Sequence, residues 1–198
     1  MDMPLDRRTA LLNSIVDALL AHGAAEMSLR PLAERVGTSA RLLIYHFGSK
    51  EQLLADAMAE VRLRIQTSLG AYAAQVRPQS LRALVMMVWD WAVQRANQPY
   101  FRLLFEVDGL TLFDRVHVSQ DTGRAHSAAW IALIERAAER LPAEGPLFSA
   151  HSTLILAALT GLLQEFLSTG DLDRTTAAMS ALIDLIAQVS QKLQGSKS

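Results

Sequence analysis

Helical periodicity runs through almost the whole chain and limits what it can fold into. Near the N-terminus, apolar residues recur three and four positions apart: Leu12, Ile15, Val16, Leu19 and Leu20. This spacing places them on one face of an α-helix. No segment of useful length alternates polar and apolar residues as a half-buried β-strand does. The sequence therefore predicts an all-α protein.

Glycines and capping residues divide the helical pattern. Gly23, Gly37 and Gly48 interrupt the N-terminal part and leave three short helices. Ser49 and Gln52 then form an S-x-x-Q capping box, which predicts a long helix ending at about residue 74. Beyond it, turn signals separate longer predicted helices over roughly 80–96, 99–113, 119–141, 147–168 and 172–193.

Composition excludes several classes of site and partner. The chain has 198 residues, 51% of them apolar, and a formal net charge of −1, so any attraction to nucleic acid must be local. It contains no cysteine, which removes disulfides and thiolate metal sites and fits a reducing cytoplasm. The N-terminus lacks a signal-peptide pattern, and the longest strongly apolar stretch, Leu154–Leu163, is about half the length of a membrane span. We therefore expect a cytoplasmic protein with no membrane partner.

The second and third predicted helices have the lengths of a helix-turn-helix, whose second helix enters the major groove of DNA. Ser28 and Ser39 can cap these two helices, and Gly37-Thr38 can form the turn between them. In the third helix the spacing predicts an inner face made of Ala40, Leu43, Ile44 and Phe47. It predicts an outer face made of Arg41, Leu42, Tyr45 and His46. We therefore predict a DNA-binding domain over residues 1–50, joined by the long helix to an all-helical body over residues 51–198.

Positive charge gathers around this candidate recognition helix. Between residues 28 and 50, four basic residues stand against a single acidic residue, Glu34, in a chain that is almost neutral overall. The starts of the third and fourth helices, at Ser39 and Ser49, also present backbone N–H groups suited to phosphate oxygens. This edge of the domain therefore suits a polyanion such as DNA.

Two stretches carry a resemblance to a known family. The first is SLRPLAERVGTS, over the first half of the helix-turn-helix, and the second is LIYHFGSKEQLL, which closes it. At these residues, and over about Arg7 to Leu54, the chain resembles the TetR family of bacterial transcription regulators. Within the second stretch YHFGSKEQL is a specific match, whereas the C-terminal body is similar to the family only in architecture.

The resemblance implies DNA-contacting roles at particular positions. Family members touch phosphates, and sometimes a base, at the start of the second helix, and they read bases with the leading turn of the third. The end of the third helix leans on the DNA backbone, and a lysine that opens the fourth helix binds a phosphate. The matching residues here are Ser28, Arg30, Thr38, Ser39, Ala40, Arg41, Leu42, Tyr45, His46 and Lys50.

Two positions depart from the family pattern. Ile44 stands where members usually carry a tyrosine, so a phosphate contact should be lost there. Arg41 stands where a glycine, proline or other small residue is more common, and it adds a long hydrogen-bond donor. Because an arginine bound to guanine through two hydrogen bonds is the commonest specific base contact, we predict that Arg41 reads a guanine.

The last two predicted helices have broad apolar faces, which suit a four-helix bundle formed with a second copy of the chain. Ala157 and Gly161, four residues apart, would allow close approach of two backbones. The alternative is that both helices pack only on their own core. The predicted dimer residues are Ile155, Ala157, Leu159, Gly161, Leu162, Phe166, Met179, Leu182, Ile183 and Ile186.

The middle helices are rich in aromatic and methionine side chains, which suit either an ordinary core or a pocket for a small apolar or aromatic molecule. The family commonly encloses an effector in this region, and the resemblance therefore implies a ligand-binding body. Its predicted lining residues are Met86, Trp89, Asp90, Phe101, Phe105, Phe113 and Trp130. Further possible polar anchors are Arg102, Glu106, His117, His126 and His151.

No catalytic motif or metal-ligand spacing occurs in the sequence, so we predict neither an enzyme nor a cofactor. The predicted function is a ligand-responsive transcriptional regulator that binds a palindromic operator as a homodimer. Repression rather than activation is an expectation from the family alone. The alternative is a helical dimer that sequesters an apolar ligand and has weakened or lost DNA binding.

Overall fold

The computed structural model describes residues 4–25, 28–113, 128, 130–132, 134–136, 141 and 145–195. Within these residues every regular element is helical, which confirms the predicted all-α fold. The labelled helices are α1 (Pro4–His22), α2 (Leu29–Arg35), α3 (Ala40–Phe47), α4 (Lys50–Val76), α5 (Leu81–Ala92), α6 (Gln98–Leu112), α7 (Gly145–Thr169) and α8 (Leu172–Gly195).

The chain divides into two compact units. The first contains Met1–Ser68 and Arg95–Ser119, and the second contains Leu69–Gln94 and Gln120–Ser198. Helices α1, α2, α3 and α6 therefore belong to the first unit, and α4 runs from the first unit into the second. The sequence predicts a boundary at residue 50 between a DNA-binding domain and a helical body. That boundary divides the chain by function, and it stays a prediction.

Most helix starts are where the capping residues place them. The Ser39 hydroxyl accepts a hydrogen bond from Leu42 N at 3.2 Å, and the Ser80 hydroxyl accepts one from Ala83 N at 3.1 Å. The capping box at α4 is only half formed. Ser49 Oγ accepts from Gln52 N at 3.1 Å, but the Ser49 N–H donates to Phe47 O and not to the Gln52 side chain, which itself donates to Asp56.

Several helix ends differ from the sequence prediction, and one helix lies largely outside the described residues. Helix α5 ends at Ala92, four residues earlier than predicted. Helix α7 begins at Gly145, because Pro146 falls in the first turn, where a missing N–H removes no helical hydrogen bond. The helix predicted over 119–141 is described only in part, and residues 130–132 and 134–136 are helical.

The turn between α2 and α3 is a Schellman motif that needs Gly37. Thr38 N donates to Ala33 O at 2.8 Å, and Gly37 N donates to Glu34 O at 3.2 Å. Gly37 has a φ of 70°, in the left-handed region that glycine adopts without steric cost. This motif ends α2 and sets the direction in which α3 begins.

The turn between α3 and α4 is tighter still. Gly48 has φ 81° and ψ −60°, and Ser49 N donates to Phe47 O at 3.0 Å across it. These values describe a γ-turn with positive φ, a strained conformation for any residue with a Cβ atom. The turn brings the start of α4 directly against the end of α3.

We expect Gly48→Ala to lower the free energy of unfolding by about 1–3 kcal/mol. No atom lies within 4 Å of a Cβ built at Gly48, so the loss would come from the backbone conformation and not from a clash. Denaturant unfolding measures the change. The matched control is Gly109→Ala in α6, which also has open space but an ordinary φ, and which should stabilise by about 0.5–1 kcal/mol. Equal effects of the two substitutions would contradict the γ-turn assignment.

The core of the first unit lies among α1, α2, α3 and the first half of α4. Its buried side chains include Ile15, Leu32, Leu43, Phe47 and Leu53. The inner face predicted for α3 is correct at Leu43 and Phe47, and Ala40 is half-buried. It is wrong at Ile44, whose side chain is 38% exposed, because this position lies at the edge of the narrow buried stripe of a short helix.

The second unit packs α5, α7 and α8 together. Trp89 and Trp91 of α5 are buried, and the Trp89 indole donates to Thr176 Oγ1 at 2.8 Å. The Arg82 guanidinium of α5 also pairs with Asp184 of α8. By length and composition alone, Ser149–Thr169 could cross a membrane, a test that core helices of soluble proteins also pass.

Candidate nucleic-acid interface

The outer face of α3 is exposed as its sequence spacing predicts. Tyr45 is 79% exposed, Arg41 and Leu42 are exposed beside it, and His46 is half-buried. The Tyr45 and His46 rings meet edge to face, with centroids 5.2 Å apart. Because Leu43 and Phe47 anchor the opposite face, these outward side chains are held on a helix that cannot easily rotate. Ile44 adds an apolar side chain at the edge of this outer face.

The basic residues of this edge differ from four arginines elsewhere in the described chain. Arg8, Arg64, Arg82 and Arg174 each form an ion pair with a carboxylate. Among the described residues, no ion pair engages the basic side chains of α2, α3 and the start of α4, which are Arg30, Arg35, Arg41 and Lys50. Arg30, Arg35 and Arg41 are exposed and Lys50 is half-exposed. Their charge is therefore available to an external anion.

Hydroxyl groups at the helix starts add donors to this edge. Ser28 precedes α2 and is exposed, and its side chain makes no capping hydrogen bond. The Ser39 hydroxyl accepts the capping bond of α3 and keeps its own proton for donation. Thr38, between these two serines, is half-buried, and so is Ala40. The residues that the sequence predicts as DNA contacts thus lie along α2, α3 and the two turns that flank α3. Their contacts with DNA stay a prediction.

Arg8 holds the end of α3, a role that sequence reasoning missed. Its Nε donates to the His46 carbonyl oxygen at 3.2 Å, and its Nη2 contacts Asp56 Oδ2 at 2.5 Å. The guanidinium also lies over the Phe47 ring, 4.9 Å from the centroid. One side chain of α1 therefore ties together the last turn of α3 and the first turns of α4. In the sequence, the only signal of this role is that residue 8 is an arginine, because its partners lie 38 and 48 residues away.

A second arginine fastens α1 to α4. Arg64 of α4 donates to Asp17 at 2.6 Å and to Asn13 at 2.8 Å, both on α1, and to Glu60 on its own helix at 3.0 Å. Burial alone would lower the pKa of the Arg64 guanidinium, but the bonds to Asp17 and Glu60 outweigh it and raise that pKa. The arginine is charged in either case, so this brace persists across the pH range in which the carboxylates are ionised.

The residues predicted to line an effector pocket are divided between the two units. Met86, Trp89, Asp90 and Trp130 belong to the second unit, and Phe101, Phe105 and Phe113 belong to the first. Trp89 and Phe101 are buried, whereas Phe113 is 80% exposed. Asp90 is exposed, yet partial desolvation raises the pKa of its carboxyl. Ligand binding by these residues stays a prediction, and His117 and His126 lie outside the described residues.

The residues predicted for a dimer interface fall into two groups. Five of them are buried within the chain itself: Ile155, Leu159, Met179, Ile183 and Ile186. For these five, the alternative of packing within their own chain is what the structure shows, because they face the core of the second unit. Ala157 and Gly161 are exposed, and Leu162, Phe166 and Leu182 are half-buried. Of the ten predicted residues, this second group is the one accessible to a second copy, and the dimer interface itself stays a prediction.

Comparisons with known proteins bear on both parts of the chain. A sequence model of the bacterial regulatory proteins of the tetR family matches residues 11–57, from α1 into the first turns of α4. No curated protein sequence matches the chain. Among solved structures, it is similar to PfmR, a TetR family transcriptional regulator from Thermus thermophilus. That alignment covers 94% of this chain and 96% of the other, with 19% sequence identity and a TM-score of 0.51. At this identity the likeness shows the fold alone.

Proposed function

We propose that the chain, whose residues 11–57 match the tetR family of bacterial regulatory proteins, is a DNA-binding transcriptional regulator that acts as a ligand-responsive repressor. In this proposal two copies bind a palindromic operator, and a small apolar effector releases them. The observation that carries the proposal is the row of basic side chains on α2, α3 and α4 that are unpaired within the described residues. We also place the protein in the cytoplasm and assign it no catalytic role.

The geometry of α3 supports binding in the major groove. Arg41, Leu42 and Tyr45 form its most exposed row, while the buried face and Arg8 fix its orientation. A helix presented in this way can place its first turn on base edges and its last turn on the sugar-phosphate backbone. In a two-fold dimer, two such helices would lie in successive major grooves, about 34–36 Å or a multiple of that apart.

The exposed face of α7 supports association with a second copy. Leu154, Ala157 and Gly161 lie at helical spacing on this face, and all three are exposed within the single chain. Within Ser149–Thr169, only 22% of the most apolar 18-residue segment is buried inside the chain. Leu185 on α8 is also exposed, at 59%. An apolar face of this kind is typical of a homodimer interface. Each copy would contribute one DNA-binding head, the domain over residues 1–50, and two linked heads bind a palindrome far better than one.

The proposed switch acts through α4. This helix begins at Lys50, next to α3, and continues without a break to Val76 in the second unit. An effector that binds the helical body and shifts α4 would therefore also move the DNA-binding head, because α4 is covalently joined to that head. A coupling free energy of about 1–3 kcal/mol between effector and operator is enough for a useful switch.

A second candidate function rests on Ile44. The resemblance implies a phosphate contact from a tyrosine at this position, and the exposed isoleucine has no group that can make it. The candidate is a helical dimer that sequesters an apolar ligand and no longer binds DNA. In vitro selection from randomised duplexes separates the two functions. Enrichment of a palindrome supports the regulator, and enrichment of nothing at low salt supports the sequestering protein.

The selected operator then tests the predicted role of Arg41. We expect Arg41→Ala to abolish the preference for guanine at one base pair in each half-site, a discrimination worth about 1–3 kcal/mol. Competition titrations against single-base variants of the operator measure it. Lys50→Ala is the control, because loss of a phosphate contact should weaken binding to all sequences alike. An unchanged guanine preference in Arg41→Ala would rule out direct readout by this residue.

A further inference from the structure

Glu106 makes two short hydrogen bonds to the loop that connects α1 with α2. Its Oε2 accepts from Ala24 N at 2.7 Å, and its Oε1 accepts from Ala25 N at 2.7 Å. Glu106 is half-buried in the middle of α6, more than eighty residues away in the sequence. Both oxygens of one carboxylate therefore accept hydrogen bonds from successive backbone N–H groups. Successive N–H groups directed at one point form a concavity that binds anions.

The loop is shaped to receive this carboxylate. Gly23 ends α1 with a φ of 80°, which turns the next two N–H groups toward α6. A Cβ at position 23 would lie 2.7 Å from Glu106 Oε2, so a larger residue there would displace the carboxylate, and the positive φ is what favours glycine. The contact is thus built from both sides, by a glycine on the loop and by a long acidic side chain on α6.

Helix α6 has a further electrostatic link to the head-proximal part of α4. Arg62 of α4 is half-buried, and burial lowers the pKa of its guanidinium while the nearby Asp108 carboxylate raises it. Glu106 and Asp108 thus direct two negative charges of α6 at two different elements of the first unit. Helix α6 lies inside the segment Arg95–Ser119, which belongs to the first unit. Helix α6 is therefore linked, within the first unit, both to the loop that precedes α2 and to α4.

We propose that Glu106 is a positioning residue for DNA binding, which fixes the α1–α2 loop and thereby the orientation of the helix-turn-helix. This inference rests on the proposed function. With the two hydrogen bonds intact, α2 and α3 have one orientation relative to α6. A displacement of α6 that breaks the bonds frees the loop and lowers the fraction of molecules whose heads fit the operator. The loop contact is thus a constraint on the helix-turn-helix that is separate from its covalent continuation into α4.

The test compares Glu106→Ala, Glu106→Gln and wild-type protein on the selected palindrome. We expect Glu106→Ala to lower operator affinity by roughly 5- to 150-fold. Glu106→Gln keeps the side-chain volume and one acceptor oxygen, so its loss should be smaller. Operators with one base pair added to or removed from the spacer between half-sites give the readout specific to positioning. Wild type should discriminate against them strongly, and Glu106→Ala should discriminate less, because its heads are no longer held in one orientation.

Hydrogen exchange of the Ala24 and Ala25 amides provides the measurement that does not depend on DNA. Both amides should exchange faster in Glu106→Ala, while amides of α3 keep their protection. The matched control is Asp171→Ala, which removes a carboxylate paired with Arg174 at the turn between α7 and α8, away from the proposed dimer face, and should change neither operator affinity nor spacer preference. Wild-type affinity and spacer discrimination in Glu106→Ala would overturn the positioning role alone. Failure of the wild-type protein to bind any duplex would overturn the proposed function and the positioning role together.

Discussion

Phe47→Ala should lower the free energy of unfolding by about 3–5 kcal/mol, the usual cost of removing a fully buried phenylalanine. The Phe47 side chain is 3% exposed, it ends α3, and the Arg8 guanidinium lies over its ring. The substitution would leave a cavity where α3 meets α1 and α4, and Arg8 would lose the surface on which it packs. Because α3 carries the outward row of residues proposed to contact DNA, operator binding should be lost with the local structure.

Tyr45→Ala is the matched control, since it removes an aromatic side chain from the same helix two residues earlier. Tyr45 is 79% exposed, so its loss should change stability by no more than about 0.5 kcal/mol. Denaturant unfolding and operator titration on both variants measure the two effects. We expect Phe47→Ala to lose stability and binding, and Tyr45→Ala to lose binding affinity alone. Equal losses of stability would contradict the assignment of inner and outer faces.

Ala157→Arg should convert the proposed dimer into monomers and weaken operator binding by about 10²–10⁴-fold. Ala157 is exposed on α7 beside Gly161, where a long charged side chain would keep two backbones apart. A single head must then bind without its partner, so the gain from linking two heads disappears. The fold of the monomer should survive, because the side chain at position 157 points away from the core of its own unit.

Sedimentation equilibrium and operator titration on the same samples measure both effects. Ala21→Arg is the control, because it places the same charge on another exposed alanine, in α1 of the first unit. This variant should stay dimeric and keep its spacer preference. A dimeric Ala157→Arg protein would show that α7 is not the interface. A monomeric protein with undiminished affinity would show that DNA binding does not depend on pairing of the heads.

The sequence predicts the head well because its signals are local. Capping serines, positive-φ glycines and a short apolar stripe act within a few residues, and the structure places α3 at Ala40–Phe47 as those signals require. The family match over residues 11–57 covers the same region. Ile44 is the exception, because on a helix of two turns one apolar position can lie at the edge of the buried face.

Long-range contacts could not be predicted in the same way. Arg8 and Glu106 are ordinary charged residues in the sequence, and only the fold brings them to the end of α3 and to the α1–α2 loop. Helical periodicity gives the apolar faces of α7 and α8 but cannot tell whether a face meets its own core or a second copy. For this reason five of the ten predicted dimer residues are buried within the chain.

Operator affinity as a function of salt tests the central claim most directly. Arg30, Arg35 and Lys50 on each of two heads would provide about six phosphate contacts, near the lower end of the range for which affinity falls roughly 10³–10⁵-fold between about 50 and 200 mM salt. We expect a linear decrease of log affinity with log salt on the selected palindrome. Affinity that is absent at low salt, or that does not depend on salt, would contradict a basic edge that binds the phosphate backbone of DNA.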